Sequence, residues 1–228
     1  MEVKEILRHV DHTYLKMDAT WEQVRTALED GLFLGCASVF VPPSYVHKAA
    51  DYVEGSVKVG SVIGFPYGYT TTRAKCYEAS DLVKDGADEI DMVVNVGWVK
   101  EKQYDLILSE IRAIRKAIDD AKAGIIFKVI IETCLLTDEE KIRLCEVISE
   151  SGADYIKTST GFNGDGATFE DVELFAKHVK NGLKIKAAGG ISSLEDAEKF
   201  LSLGADRIGT SRMVKFIKSN GKDTGNGY

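Results

Sequence analysis

Short apolar runs rich in Val and Ile alternate with longer, polar-faced stretches of helical period along the chain. The runs at 9–13, 36–41, 57–63, 89–94, 125–131, 155–161, 183–188 and 207–210 read as strands. The stretches at 3–8, 21–30, 44–53, 72–84, 101–122, 169–179 and 212–218 read as helices, with two more opened by capping boxes. Those boxes are Thr137-x-x-Glu140 and Ser192-x-x-Glu195, whose helices run on to Gly152 and Gly204; Gly31 is expected to stop the helix that Thr20 caps. Strict alternation of strand and helix implies parallel strands joined by crossover helices. Eight strands point to an α/β fold, a closed (β/α)8 TIM barrel, rather than a flavodoxin-like open sheet. One catalytic domain is expected over 1–218, behind a short N-terminal helix, with a flexible Gly-rich C-terminal tail over 219–228.

An internal echo fixes which way the strands face. Gly86-Ala87-Asp88-Glu89-Ile90-Asp91 matches Gly152-Ala153-Asp154-Tyr155-Ile156-Lys157 and Gly204-Ala205-Asp206-Arg207-Ile208-Gly209, and Gly35-Cys36-Ala37-Ser38-Val39-Phe40 is a weaker copy. In each, Gly ends a helix, Ala fits a close turn and Asp is expected to bond the turn backbone. Side chains alternate faces along a strand. Ile90, Ile156 and Ile208 therefore point to the helices, and Phe40, Asp91, Lys157 and Gly209 point into the barrel. The same alternation turns Ile185 outward and Lys186 inward, and places Lys128 and Glu132 on one inward face. Lys184 shares the inward face but sits at the strand start, where it can reach solvent. Asp11 joins the set from the first strand.

A barrel interior is ordinarily filled by Val, Ile and Leu. A structural salt-bridge cluster is one explanation for so many charges, yet buried ion pairs stabilise weakly. The cluster suits imine formation better. A lysine must be neutral to attack a carbonyl, and bringing its pKa from ~10.4 to ~7 takes about 4–5 kcal/mol of bias against the charge. Burial and a neighbouring cation both supply it. Lys157 beside Lys186 is such a pair, with Asp91 placed to relay a proton through water. Gly161, Gly189, Gly190, Gly209 and Ser211, with Arg212, lie in loops where barrels often bind phosphate on backbone N–H groups.

The totals remove several alternatives. The chain has 228 residues and a formal net charge of −7, so no cationic surplus exists for nucleic acid. No apolar run approaches the ~18 residues of a membrane span. The four cysteines form no C-x-x-C pair and read as reduced thiols, and with no signal peptide the chain is expected in the cytoplasm. The four histidines read as surface or structural residues, so no metal and no cofactor is expected.

The residues also carry a family resemblance. Asp11-His12-Thr13, Ile63-Gly64-Phe65-Pro66, Glu89-Ile90-Asp91, Lys128-Val129-Ile130-Ile131-Glu132, Tyr155 through Gly161, Lys186-Ala187-Ala188-Gly189-Gly190 and Gly209-Thr210-Ser211 resemble deoxyribose-phosphate aldolases over nearly the full length. The resemblance implies a metal-free class I aldolase that reversibly cleaves 2-deoxy-D-ribose 5-phosphate to acetaldehyde and D-glyceraldehyde 3-phosphate. Lys157 matches the Schiff-base lysine, Lys186 the lysine that perturbs it and Asp91 the proton-relay carboxylate. Asp11 and Thr13 match residues lining the pocket, and Lys128 falls in the same substrate-binding set. Some members carry Cys where this chain has Phe40, and the missing thiol is expected to lessen inactivation by reactive aldehydes. Some carry a lysine where this chain has Phe162, which leaves phosphate to backbone N–H groups and Arg212. A non-enzymatic phosphosugar-binding barrel, or another imine-forming lyase on this fold, are the alternatives. Partners are expected to be a small phosphorylated sugar, acetaldehyde and a second copy of the chain in a homodimer. Tyr228 ends the tail and could reach the pocket, although a disordered end is the commoner case.

Overall fold

The structure is a computed structural model that describes residues 1–219. Eight parallel strands close on themselves in sequence order, β1 pairing with both β2 and β8. They are β1 (Val10–Thr13), β2 (Ser38–Phe40), β3 (Val59–Ile63), β4 (Glu89–Val93), β5 (Ile126–Ile130), β6 (Tyr155–Lys157), β7 (Lys184–Ala188) and β8 (Arg207–Thr210). The helices are α1 (Val3–Leu7), α2 (Trp21–Leu34), α3 (Val46–Val53), α4 (Thr72–Lys84), α5 (Val96–Lys100), α6 (Tyr104–Ala121), α7 (Asp138–Ser149), α8 (Phe169–His178), α9 (Leu194–Ser202) and α10 (Met213–Lys218). The barrel is as expected. The tail beyond Ser219, Tyr228 included, lies outside the described residues.

The outward positions hold the shell together. Ile90, Ile156 and Ile208 are fully buried among helix side chains such as Ile111, Ile114 and Phe175. Full burial of each such side chain is worth roughly 1.5–3 kcal/mol, so this shell is where the apolar driving force acts.

Several local expectations needed correction, among them β6, which ends at Lys157 because the chain turns into the cleft loop there. Helix α2 runs through Gly31 and ends at Gly35, which takes the left-handed conformation at φ 69°. Gly31 is there for closeness: a Cβ on it would lie 2.2 Å from Val39 Cγ2, so only glycine lets α2 seat on β2. The helix expected over 101–122 is α6 and starts only at Tyr104, a separate short helix α5 precedes it over Val96–Lys100, and the cap of α9 is Ser193 rather than Ser192, with Ser193 Oγ accepting from Asp196 N. The echoed aspartates reach further than their own turns. Asp88 accepts from Val59 N at 3.0 Å, Asp154 from Phe127 N at 2.8 Å and Asp206 from Ile185 N at 2.9 Å. Each ties the start of its own strand to the start of the strand before it.

Candidate active site

The inward positions gather charge from six strands. Lys157 Nζ and Lys186 Nζ each donate to Asp91 Oδ2 at 2.8 Å. The strand register explains the meeting: Lys157 is level with Lys186 across β6 and β7, and Asp91 is level with Lys128 across β4 and β5. Lys128 pairs with Asp91 Oδ1 at 3.1 Å, and Lys186 pairs with Asp11 Oδ2 at 2.6 Å. Asp11 Oδ1 in turn accepts from Ser38 Oγ at 2.7 Å and from Arg207. Phe40 lies against this cluster with its ring centroid 4.0 Å from Lys186 Nζ and 4.7 Å from Lys128 Nζ. Its ring fits because residue 60 is glycine; a Cβ there would be 2.5 Å from the ring.

Of the three interior lysines, Lys157 alone lines the cleft at the C-terminal end of the barrel, a space of about 250 Å³. Lys128 and Lys186 are fully buried. Burial is the largest influence on the Lys157 amine and drives it down; Asp91 opposes this, while Lys186 and Lys128 push it down again. The balance leaves the amine at about 8. About one amine in ten is then neutral at pH 7, against fewer than one in a thousand for a free lysine. For Asp91 burial pushes upward, but Lys128, Lys157 and Lys186 outweigh it and hold the carboxyl well below the usual range.

The cleft walls come from four loops. Thr13, Gly161, Gly189, Gly190, Gly209, Ser211 and Arg212 line it, together with Thr160 of the Tyr155-to-Gly161 run and with Leu15, Asp165 and Ile191, which sequence reasoning did not single out. Asp11 and Lys128 are placed differently from the expected pocket lining. Both are fully buried under the floor, because alternation gives a residue's face but not its depth along the barrel. Glu132 likewise leaves the lysine cluster. It takes a left-handed backbone at φ 56° and turns to the loop after β6, accepting from Thr160 N at 3.0 Å and Asn163 Nδ2 at 2.9 Å. That brace shapes the wall containing Gly161. Thr210 ties two other walls together: its Oγ1 donates to Ile191 O at 2.7 Å and accepts from Arg212 N at 3.1 Å. Phe162 stands outside the cleft lining and packs edge-on against Phe65 at 5.2 Å.

Two charged residues escaped sequence reasoning, Glu89 and Arg207. Arg207 Nη2 donates to Glu89 Oε1 at 3.0 Å, and both are buried beneath Asp91 and Asp11. A signal existed: they lie two residues before Asp91 and Gly209, and so share their inward face. Lys184, by contrast, is exposed at the barrel bottom as anticipated. Of the histidines, His12 is buried and driven down to about 4, first by that burial, while His9 Nδ1 lies 2.9 Å from Asp206 O. Among the described residues no group of three or more His, Cys, Asp or Glu side chains is arranged to hold a metal ion. The four cysteines are free thiols.

The profile of the DeoC/LacD family of aldolases matches residues 5–212. The deoxyribose-phosphate aldolase of Streptococcus agalactiae is 56% identical over 225 residues, which span 99% of each chain. That of Streptococcus pyogenes is 56% identical over 98% of this chain and 99% of its own. The tetrameric deoxyribose phosphate aldolase of Aeropyrum pernix superposes with a TM-score of 0.87 at 32% identity, covering 96% of this chain and 93% of that one.

Proposed function

Because the chain belongs to the DeoC/LacD family of aldolases, we propose that Lys157 is the amine with which it forms an imine to its substrate. The protein is a lyase, a deoxyribose-phosphate aldolase that reversibly splits 2-deoxy-D-ribose 5-phosphate into acetaldehyde and D-glyceraldehyde 3-phosphate. The observation that carries the residue assignment is a lysine amine that is 5% exposed, opens on the cleft and is lowered to about 8 beside a second ammonium.

In this reading neutral Lys157 adds to the C1 aldehyde, and loss of water gives a protonated imine. The C2–C3 bond then breaks as the C3 hydroxyl gives up its proton, and its electron pair flows to the imine nitrogen to leave an enamine. Protonation at C2 and hydrolysis release acetaldehyde and restore the amine. Lys186 keeps a positive charge beside Lys157 and is the adjacent proton donor. Asp91 is too well paired to be a strong base at rest, and its part is to pass protons by way of water once Lys157 has shed its charge. The backbone of Gly161, Gly189, Gly190, Gly209 and Ser211, with Arg212, receives the phosphate at the rim, and Thr13 borders the sugar. Asp11 and Lys128 act from beneath the floor by fixing Lys186 and Asp91.

Treatment with acetaldehyde and borohydride should attach an ethyl group to the Lys157 peptide, read by peptide mass mapping. Absence of label there, or activity lost to a chelator, would overturn the assignment; a phosphosugar-binding barrel without catalysis would give no label at all. Among the described residues no helix is long and apolar enough to cross a membrane. We read the enzyme as cytoplasmic and as a homo-oligomer, a dimer, which cell fractionation and light scattering test.

A further inference from the structure

Six buried charges close a ring inside the barrel. Arg207 pairs with Asp11, Asp11 with Lys186, Lys186 with Asp91, Asp91 with Lys128, Lys128 with Glu89, and Glu89 with Arg207 again. Signs alternate all the way round, three positive and three negative, so the ring is neutral as a unit. Around the ring each carboxylate meets two cations and each cation two carboxylates, and one longer contact, Lys128 to Asp11 at 3.8 Å, crosses it. Lys157 is the seventh group. It is attached through Asp91 alone and is the cation left over.

Buried charge is tolerated where it is paired and costly where it is in surplus. A neutral ring can stay fully ionised, and the surplus proton is then most easily lost from the group outside it. This gives a reason why, among three lysines in one interior, the one at position 157 is the amine that reacts. It also gives work to the two residues farthest from the cleft.

We propose that Glu89 and Arg207 are positioning residues that complete this ring and thereby set the charge felt by Lys157, although neither lines the cleft. The proposal rests on the assignment of Lys157 as the imine-forming amine. Of the buried charged groups on the strands around that amine, Asp91 from β4, Lys186 from β7 and Lys128 from β5 act on it directly, and Asp11 from β1, Glu89 from β4 and Arg207 from β8 stand behind them. The Phe40 ring of β2 lies 5.9 Å from it, and Asp165 and Arg212 stand at the cleft walls.

The two residues carry opposite charges, so their removal has opposite effects. Arg207→Met leaves a net negative charge in the ring, which favours the Lys157 ammonium; the rise of kcat/KM with pH then moves to higher pH. Glu89→Gln leaves a net positive charge, which disfavours the ammonium; the rise moves to lower pH. Each shift is expected to be about half to one pH unit, the order of one buried charge acting a few side-chain lengths away at an effective dielectric constant of about 20. The double variant Glu89→Gln/Arg207→Met restores neutrality and should return the midpoint close to that of the parent. A role confined to stability gives no such sign reversal.

The experiment measures kcat/KM against pH and, on the same samples, the pH dependence of borohydride trapping of acetaldehyde at Lys157. Thermal melting confirms that each variant is folded. If one single variant fails to fold, the sign of the shift in the other decides, and the double variant leaves no buried charge unpaired. Label on Lys157 with unmoved midpoints, or with both singles moving the same way, would overturn the ring while sparing the nucleophile. Loss of label at Lys157 in the parent enzyme would instead overturn the assignment beneath it.

Discussion

The two sides of the barrel wall are made of neighbouring residues and obey different physics. On the outer side Ile90, Ile156 and Ile208 meet aliphatic helix side chains and hold the fold by burial. One residue away on the inner side, Asp91, Lys157 and Arg207 meet opposite charges. The shell supplies the stability that lets the interior be spent on charge. The contrast teaches that stability and reactivity are separable in this molecule, strand by strand, at a spacing of one residue.

The largest break in that contrast is expected from Lys157→Leu. It should lower turnover at least about 10³-fold, the scale seen when a reacting group is removed. Stability at pH 7 should be unchanged or higher, since a surplus buried cation is replaced by an apolar side chain. Chemical denaturation alongside steady-state kinetics checks both. Ile156→Ala is the mirror experiment, one residue away. It should cost about 2–5 kcal/mol of unfolding free energy, with kcat within a few-fold of the parent in the folded enzyme.

A third, smaller effect separates the two sides by pH. The Lys157 amine titrates at about 8 when folded and near 10.4 when unfolded. Below pH 8 both states hold the proton, and this group gives no pH dependence. Between those values the unfolded chain binds more protons, so stability rises with pH, by up to about 3 kcal/mol. Denaturant midpoints of parent and Lys157→Leu should therefore converge between about pH 7.5 and 9.5; parallel profiles would count against the depressed amine. The smallest effect is expected at the rim. Phe162→Lys removes the edge-on contact with Phe65 and adds a cation near the phosphate end, and should lower KM for the phosphorylated substrate a few-fold without moving the acetaldehyde trapping rate.

Much of this was readable before any coordinates, for identifiable reasons. The strands showed because both faces are specified, and the echo made three of them report the same orientation. Faces were legible and depth was not: period two says that Asp11 and Lys128 look inward but is silent on whether they reach the cleft. Glu89 and Arg207 were missed because their partners lie far off in sequence, and a ring from five strands exists only once the barrel closes. Helix ends failed where glycine served packing instead of termination, as at Gly31, and α5 was hidden because Gly97 weakens the helical pattern of a five-residue segment.

The three aspartates at strand starts have a consequence for how the molecule is divided. Asp88 joins β3 to β4, Asp154 joins β5 to β6 and Asp206 joins β7 to β8, whereas the corresponding place before β2 is held by Ala37. The wall is thus laid down in two-strand modules, three of them riveted and the first left plain. New chain termini opened between modules, as after β4 or β6, would leave every rivet within one continuous segment. The same cut inside a module would ask two separate ends of the polypeptide to find each other.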